Sequence, residues 1–170
     1  AAPPYIGAIM LYLFALGAFL LKGRMKRWLV AATVFSIVLS WGKNFDLVTN
    51  FFIDYVPLYN KFRAVSSIQV IAEVCVPLLG ILGVKAFLGD EHSKEEKFQA
   101  FKMAGIVVVG LALFFTAFGS NLFAFESYRD ASFENMLEGL SGVLVEDRRT
   151  LFFQDSLRTL IYVTITASLL

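Results

Sequence analysis

Residues 103–125 contain no Asp, Glu, Lys, Arg or His. Residues 4–21 and 28–42 are equally free of charge, and residues 64–84 carry only Glu73. A bilayer core about 30 Å thick is crossed by roughly 17–25 predominantly apolar helical residues, so three of these four runs are long enough to span it. The run from Trp28 is short but can extend through Lys26 and Arg27, whose long stems reach back to the interface. A fifth run begins near Thr159 and is still apolar at Leu170. The 170 residues are 58% hydrophobic and 17% charged, with a mean hydropathy of +0.69. Soluble domains hold about 45–50% apolar and about 25% charged residues, so the balance points to a lipid solvent.

The expected fold class is therefore all-α, a polytopic transmembrane helical bundle with interfacial amphipathic helices. Spans are expected over 4–21, 27–42, 64–86, 102–124 and 158–170, and the whole chain is expected to be one transmembrane segment of a larger protein. The six residues 22–27, KGRMKR, hold four cations and no anion. Basic short loops stay on the cytoplasmic side. This places the N-terminus, 43–63 and 126–158 outside and 85–102 inside, although Arg129, Arg148, Arg149 and Arg158 in the last outer segment pull the other way.

The outer stretch after the second run has helical periodicity: Val48, Phe51, Phe52 and Tyr55 form an apolar stripe opposite Asp46, Asn50 and Asp54. It predicts an interfacial helix over 44–56, ended by Pro57, which disfavours a helical residue before it. A second interfacial helix is expected over 132–145, where Ser132 can cap and Phe133, Met136, Leu137, Leu140 and Leu144 share a stripe interrupted by Gly139 and Gly142.

Between these features lies PLYNKFRAVSSIQ, residues 57–69. Ser66 and Gln69 have capping-box spacing, which predicts a helix N-terminus whose free N–H groups favour an anion. With Asn60, Lys61 and Arg63 just upstream, Ser66 and Ser67 make a candidate phosphate site at the outer face. The plainer reading is that Lys61 and Arg63 anchor to lipid headgroups. Further along, Ser66, Gln69 and Glu73 fall on one helical face, and intramembrane carboxylates normally face protein or an aqueous cavity. Gln69 and Glu73 are thus expected to look inward, Glu73 either as a hydrogen-bonded clamp or as a functional group. Pro77 is expected to kink that helix, and Gly80 and Gly83 to permit close packing. His92, alone in a mixed-charge loop, reads as solvated rather than as a metal ligand, and no metal site is expected. Cys75, the single cysteine, reads as a small apolar group.

The succession SWGKNF, DYVPLYNKFRAVSSI and EDRRTLFFQDSLRTL resembles bacterial membrane proteins of the YfhO family, most specifically over PLYNKFRAVSS. The resemblance implies a glycosyltransferase of the GT-C superfamily in the bacterial cytoplasmic membrane. Such an enzyme would use a polyprenyl-phosphate-linked sugar donor at an external active site to modify a cell-envelope polymer or lipid. It also implies that the catalytic acid lies in a first external loop upstream of this segment, so neither Asp46 nor Asp54 is assigned that role and no catalytic residue is named. The expected partners are membrane lipids, the lipid-linked sugar and the rest of the parent chain, with no nucleic acid. Two other classes fit the same residues: a non-catalytic membrane subunit or assembly partner, and a transporter segment in which Glu73 carries a proton or meets a substrate.

Overall fold

The computed structural model describes residues 6–40, 55, 65–123, 125–126 and 140–170. Among them the fold is all-α with no strand: α1 (Ala8–Leu20), α2 (Arg24–Ser40), a 3-10 turn (Val65–Gln69), α3 (Val70–Leu88), α4 (Lys94–Leu122) and α5 (Leu140–Leu169). Of the interfacial helix expected over 44–56 only Tyr55 is described, as helical and exposed, and residues 132–139 of the one expected over 132–145 also lie outside the described residues. Two compact units divide the chain, residues 1–104 and residues 105–170.

In the first unit α3 packs against both α1 and α2. Its buried positions Ala72, Val76, Leu79, Gly83 and Ala86 alternate by four and three residues, with Gly80 beside them. That spacing lays one narrow seam along the helix. Small residues on it let the backbones meet: a Cβ built on Gly17 of α1 would lie 2.5 Å from the Leu79 carbonyl oxygen, and one on Gly83 would lie 2.6 Å from the Gly17 Cα. Leu13 faces Gly80 as Gly17 faces Gly83, so α1 and α3 run parallel. α2 returns between them in sequence, and its reversal uses Gly23 at φ 111°, a left-handed conformation that L side chains resist. α3 continues through Pro77, which leaves the Glu73 carbonyl without its helical donor.

α4 starts earlier than the expected span at 102. Ser93 and Glu96 form a reciprocal cap, the Glu96 N–H donating to Ser93 Oγ and the Ser93 N–H to Glu96 Oε2, each at 3.2 Å. This fixes the helix start at Lys94 and shortens the loop after α3 to five residues, 89–93. In α5 helix runs unbroken from Leu140 to Leu169, through the stretch between the interfacial helix expected to end at 145 and the span expected from 158. No Gly or Pro follows Gly142, and Glu146–Arg149 and Asp155–Arg158 pair at i, i+3 along the charged stretch.

The second unit is held by aromatic packing. The Phe152 ring of α5 lies directly on Gly119 of α4, and Phe123 and Phe125 stand 5.7 and 5.6 Å from that ring, centroid to centroid. Arg148 Nη1 donates to the Phe125 carbonyl at 2.8 Å.

Several Ser and Thr hydroxyls among the described residues are satisfied within their own helix. Thr33 donates to the Leu29 carbonyl, Thr116 to Ala112, Ser156 to Phe152 and Thr166 to Tyr162, at 2.7–2.9 Å. Such back-bonding hides a hydroxyl from an apolar surrounding. Two helical stretches, Ser67–Leu88 and Lys94–Gly119, are long and apolar enough to cross a membrane, and only 33% and 17% of their most apolar windows is buried. The core helix of a soluble protein would show the reverse.

Candidate functional site

The first unit has two polar ends. At one, Ser40 closes α2 and meets the turn that opens α3: the Gln69 amide donates to Ser40 Oγ at 3.0 Å, and that hydroxyl donates to the Ile37 carbonyl at 2.7 Å. Gln69 is thus half-buried at a helix junction, and its amide nitrogen serves α2. α3 proper begins at Val70 behind the 3-10 turn, with Gln69 as an N-cap that makes no side-chain cap bond. Ser66 lies in that turn and Ser67 is exposed on it. Asn60, Lys61 and Arg63 lie outside the described residues. Glu73 stands exposed on α3, one step off the seam occupied by Ala72 and Val76, and among the described residues it makes no ion pair. The seam against α1 leaves no interior position for it in this unit.

At the other end, Lys22 after α1 reaches Glu96 in the first turn of α4, Nζ to Oε1 at 2.7 Å. The second carboxylate oxygen accepts from the Ser93 N–H and has His92 Nδ1 at 3.5 Å. Lys97 donates to the Gly89 carbonyl at 2.5 Å. Around the pair lies a cleft of about 350 Å³ lined by Phe19, Leu20, Gln99, Ala100 and Met103 as well as the two charges. The His92 side chain is only 14% exposed, because the five-residue turn folds it onto Glu96; the solvated position expected of it is not what the turn allows.

Both Glu96 oxygens are engaged, which suits the carboxylate to clasping α1 onto the start of α4 rather than to accepting a proton. Glu96 lies ahead of the apolar run that begins at Met103. The Lys22 hydrogen bond, then the Ser93 N–H and the Lys22 charge, pull its pKa down to about 2. A lowered carboxylate pKa stabilises the fold above the ordinary value near 4.5, and that contribution is lost as pH falls towards 2. Protection factors of the amides at residues 93–97, which correct exchange for its own pH dependence, should therefore fall on acidification through this window, and Glu96→Gln should show the lower protection already at neutral pH with the acid step removed. An unchanged acid step in Glu96→Gln would show that another group governs this cap.

Sequence reasoning did not single out Lys22, Ser93 or Glu96. The signal was present in SKEE, residues 93–96, which has the same Ser-x-x-Glu/Gln spacing as residues 66–69. No family model, curated protein or solved structure matches this chain.

Proposed function

We propose that the chain forms part of a polytopic helical bundle in the bacterial cytoplasmic membrane, and that it belongs to a GT-C-type glycosyltransferase of the YfhO family. The observation that carries the membrane reading is the outward apolar surface. Ile71, Val74, Leu78 and Ile81 on α3, and Ile106, Leu111, Leu113, Phe114 and Phe118 on α4, are all at least 39% exposed. In water such a surface would aggregate; in lipid it is ordinary.

Two features support the site reading. The Ser40–Gln69 bond joins α2 to the 3-10 turn, the two described elements that flank residues 41–64 in sequence, at one end of the first unit. A helix rises about 1.5 Å per residue, so the 17 residues of α2 separate that end from the Lys22–Glu96 clasp by roughly 25 Å, close to the thickness of a bilayer core. Asn60, Lys61 and Arg63 precede the 3-10 turn directly, with Ser66 and Ser67 inside it. In the proposed reaction a base elsewhere in the parent protein deprotonates an acceptor hydroxyl. Lys61 and Arg63 bind the departing polyprenyl phosphate, whose charge grows as the glycosidic bond breaks.

The test uses the full-length parent protein and a polyprenyl-phosphate sugar. Arg63 offers a planar fork to two phosphate oxygens, which a lysine cannot reproduce. Losing a hydrogen bond to a charged group costs about 1.5–3 kcal/mol, so Arg63→Lys and Arg63→Ala should each weaken donor affinity roughly ten- to a hundred-fold. Wild-type affinity and transfer rate in both variants, with normal membrane insertion, would reject the phosphate site. Labelling of single cysteines at positions 24 and 61 should occur from opposite sides of the membrane.

A further inference from the structure

We infer that the first two turns of α2 form a docking site for an anionic phospholipid, at the end of the first unit opposite Ser40 and Gln69. Arg24, Arg27, Trp28 and Ala31 follow one another at i, i+3, i+4 and i+7, so they share one helical stripe, and together they line a concavity of about 490 Å³. Trp28 is 73% exposed, and Met25 next to the stripe is 65% exposed. An indole left open beside cations is the pattern of a membrane interface, where the ring sits at headgroup depth.

Charge complementarity selects the occupant. Among the described residues Arg24, Lys26 and Arg27 make no hydrogen bond or ion pair, whereas Lys22 is held by Glu96, Arg149 by Glu146 and Arg158 by Asp155. Two forked guanidinium groups one turn apart can hold the oxygens of a lipid phosphodiester, and the Trp28 ring with the Ala31 methyl offers an apolar floor for the first carbons of an acyl chain. Lys26 sits on the opposite side of the helix, two positions from Arg24 and outside the stripe. The site therefore requires the two arginines and not simply the local charge. It rests on the membrane reading given above, and it differs in place and ligand from the phosphate site of residues 60–67.

The experiment reads the lipid in contact with Trp28. The full chain carrying Trp41→Phe is reconstituted into phosphatidylcholine vesicles containing phosphatidylglycerol as the minor component, with one or the other lipid brominated to quench indole fluorescence. Brominated phosphatidylglycerol should quench Trp28 beyond its share of the bilayer. Losing the guanidinium hydrogen bonds to the phosphodiester should lower the relative affinity roughly tenfold for Arg24→Gln or Arg27→Gln, and further for the double variant. Lys26→Gln, which removes the same charge from the other side, should leave the preference intact. Equal quenching by the two lipids in an inserted protein would overturn the lipid site alone, as would a Lys26→Gln loss as large as that of Arg27→Gln. Release of the chain from vesicles by alkaline carbonate would overturn the membrane reading and the lipid site with it.

Discussion

Gly83→Ala should destabilise the helix bundle, and Gly83→Leu should do so severely, although alanine is the better helix former. The added methyl would lie 2.6 Å from the Gly17 Cα and 2.7 Å from the Gly17 nitrogen. Those neighbours are backbone and cannot swing aside, so α1 and α3 must separate along the seam. Overpacking costs about 1–3 kcal/mol and occasionally more, which exceeds the gain of about 1 kcal/mol from replacing helical glycine by alanine. Gly110→Ala supplies the matched control, because a Cβ there meets nothing within 4 Å. Thermal unfolding in detergent micelles should show the midpoint falling for Gly83→Ala and holding or rising for Gly110→Ala. Equal shifts of the same sign at both positions would remove the close crossing of α1 and α3 from the account.

The second large effect has the opposite sign. Tyr12 is fully buried on α1, its ring edge-on to Phe101 with centroids 6.2 Å apart, and among the described residues its hydroxyl has no hydrogen-bond partner. Burying an unmatched hydroxyl costs about 1–3 kcal/mol. Phenylalanine keeps the ring, the packing and the contact with Phe101 while removing only the oxygen. Tyr12→Phe should therefore raise the unfolding midpoint in micelles. A lower midpoint would mean that another group meets the hydroxyl, and the orphaned oxygen would no longer describe the native state.

Much of the fold is legible in the sequence because lipid-scale apolar runs leave few alternatives. The uncharged stretches locate α1, α2, α3 and most of α4, and the glycines at 80 and 83 foretell a close crossing without naming Gly17 as the partner. Helix ends are harder to read, since charge suggests a loop where capping in fact makes a helix. Residues 94–102 are rich in Lys and Glu, both good helix formers, and the Ser93–Glu96 cap recruits them into α4. At Gln69 a further contact enters, in which its amide donates to Ser40 of α2. That bond joins residues 29 positions apart, and local spacing has no means of announcing it. Glu73 shows a similar limit: helical periodicity gives its angle around α3, but only the partner helix decides which angle is the inside.

The crossing of α1 with α3 also imposes an order on biogenesis. Its two halves are not consecutive in the chain: Gly17 leaves the ribosome well before Gly83, and α2 is made in between. In a bilayer a helix can persist alone, since its backbone is bonded internally. On the membrane reading proposed above, the first helix then waits in the bilayer with its groove at Gly17 open to lipid until the third arrives. A chaperone or lipid that shields this groove during synthesis would set the rate of assembly, and one that failed to leave it would arrest the protein as separated helices, inserted but unjoined.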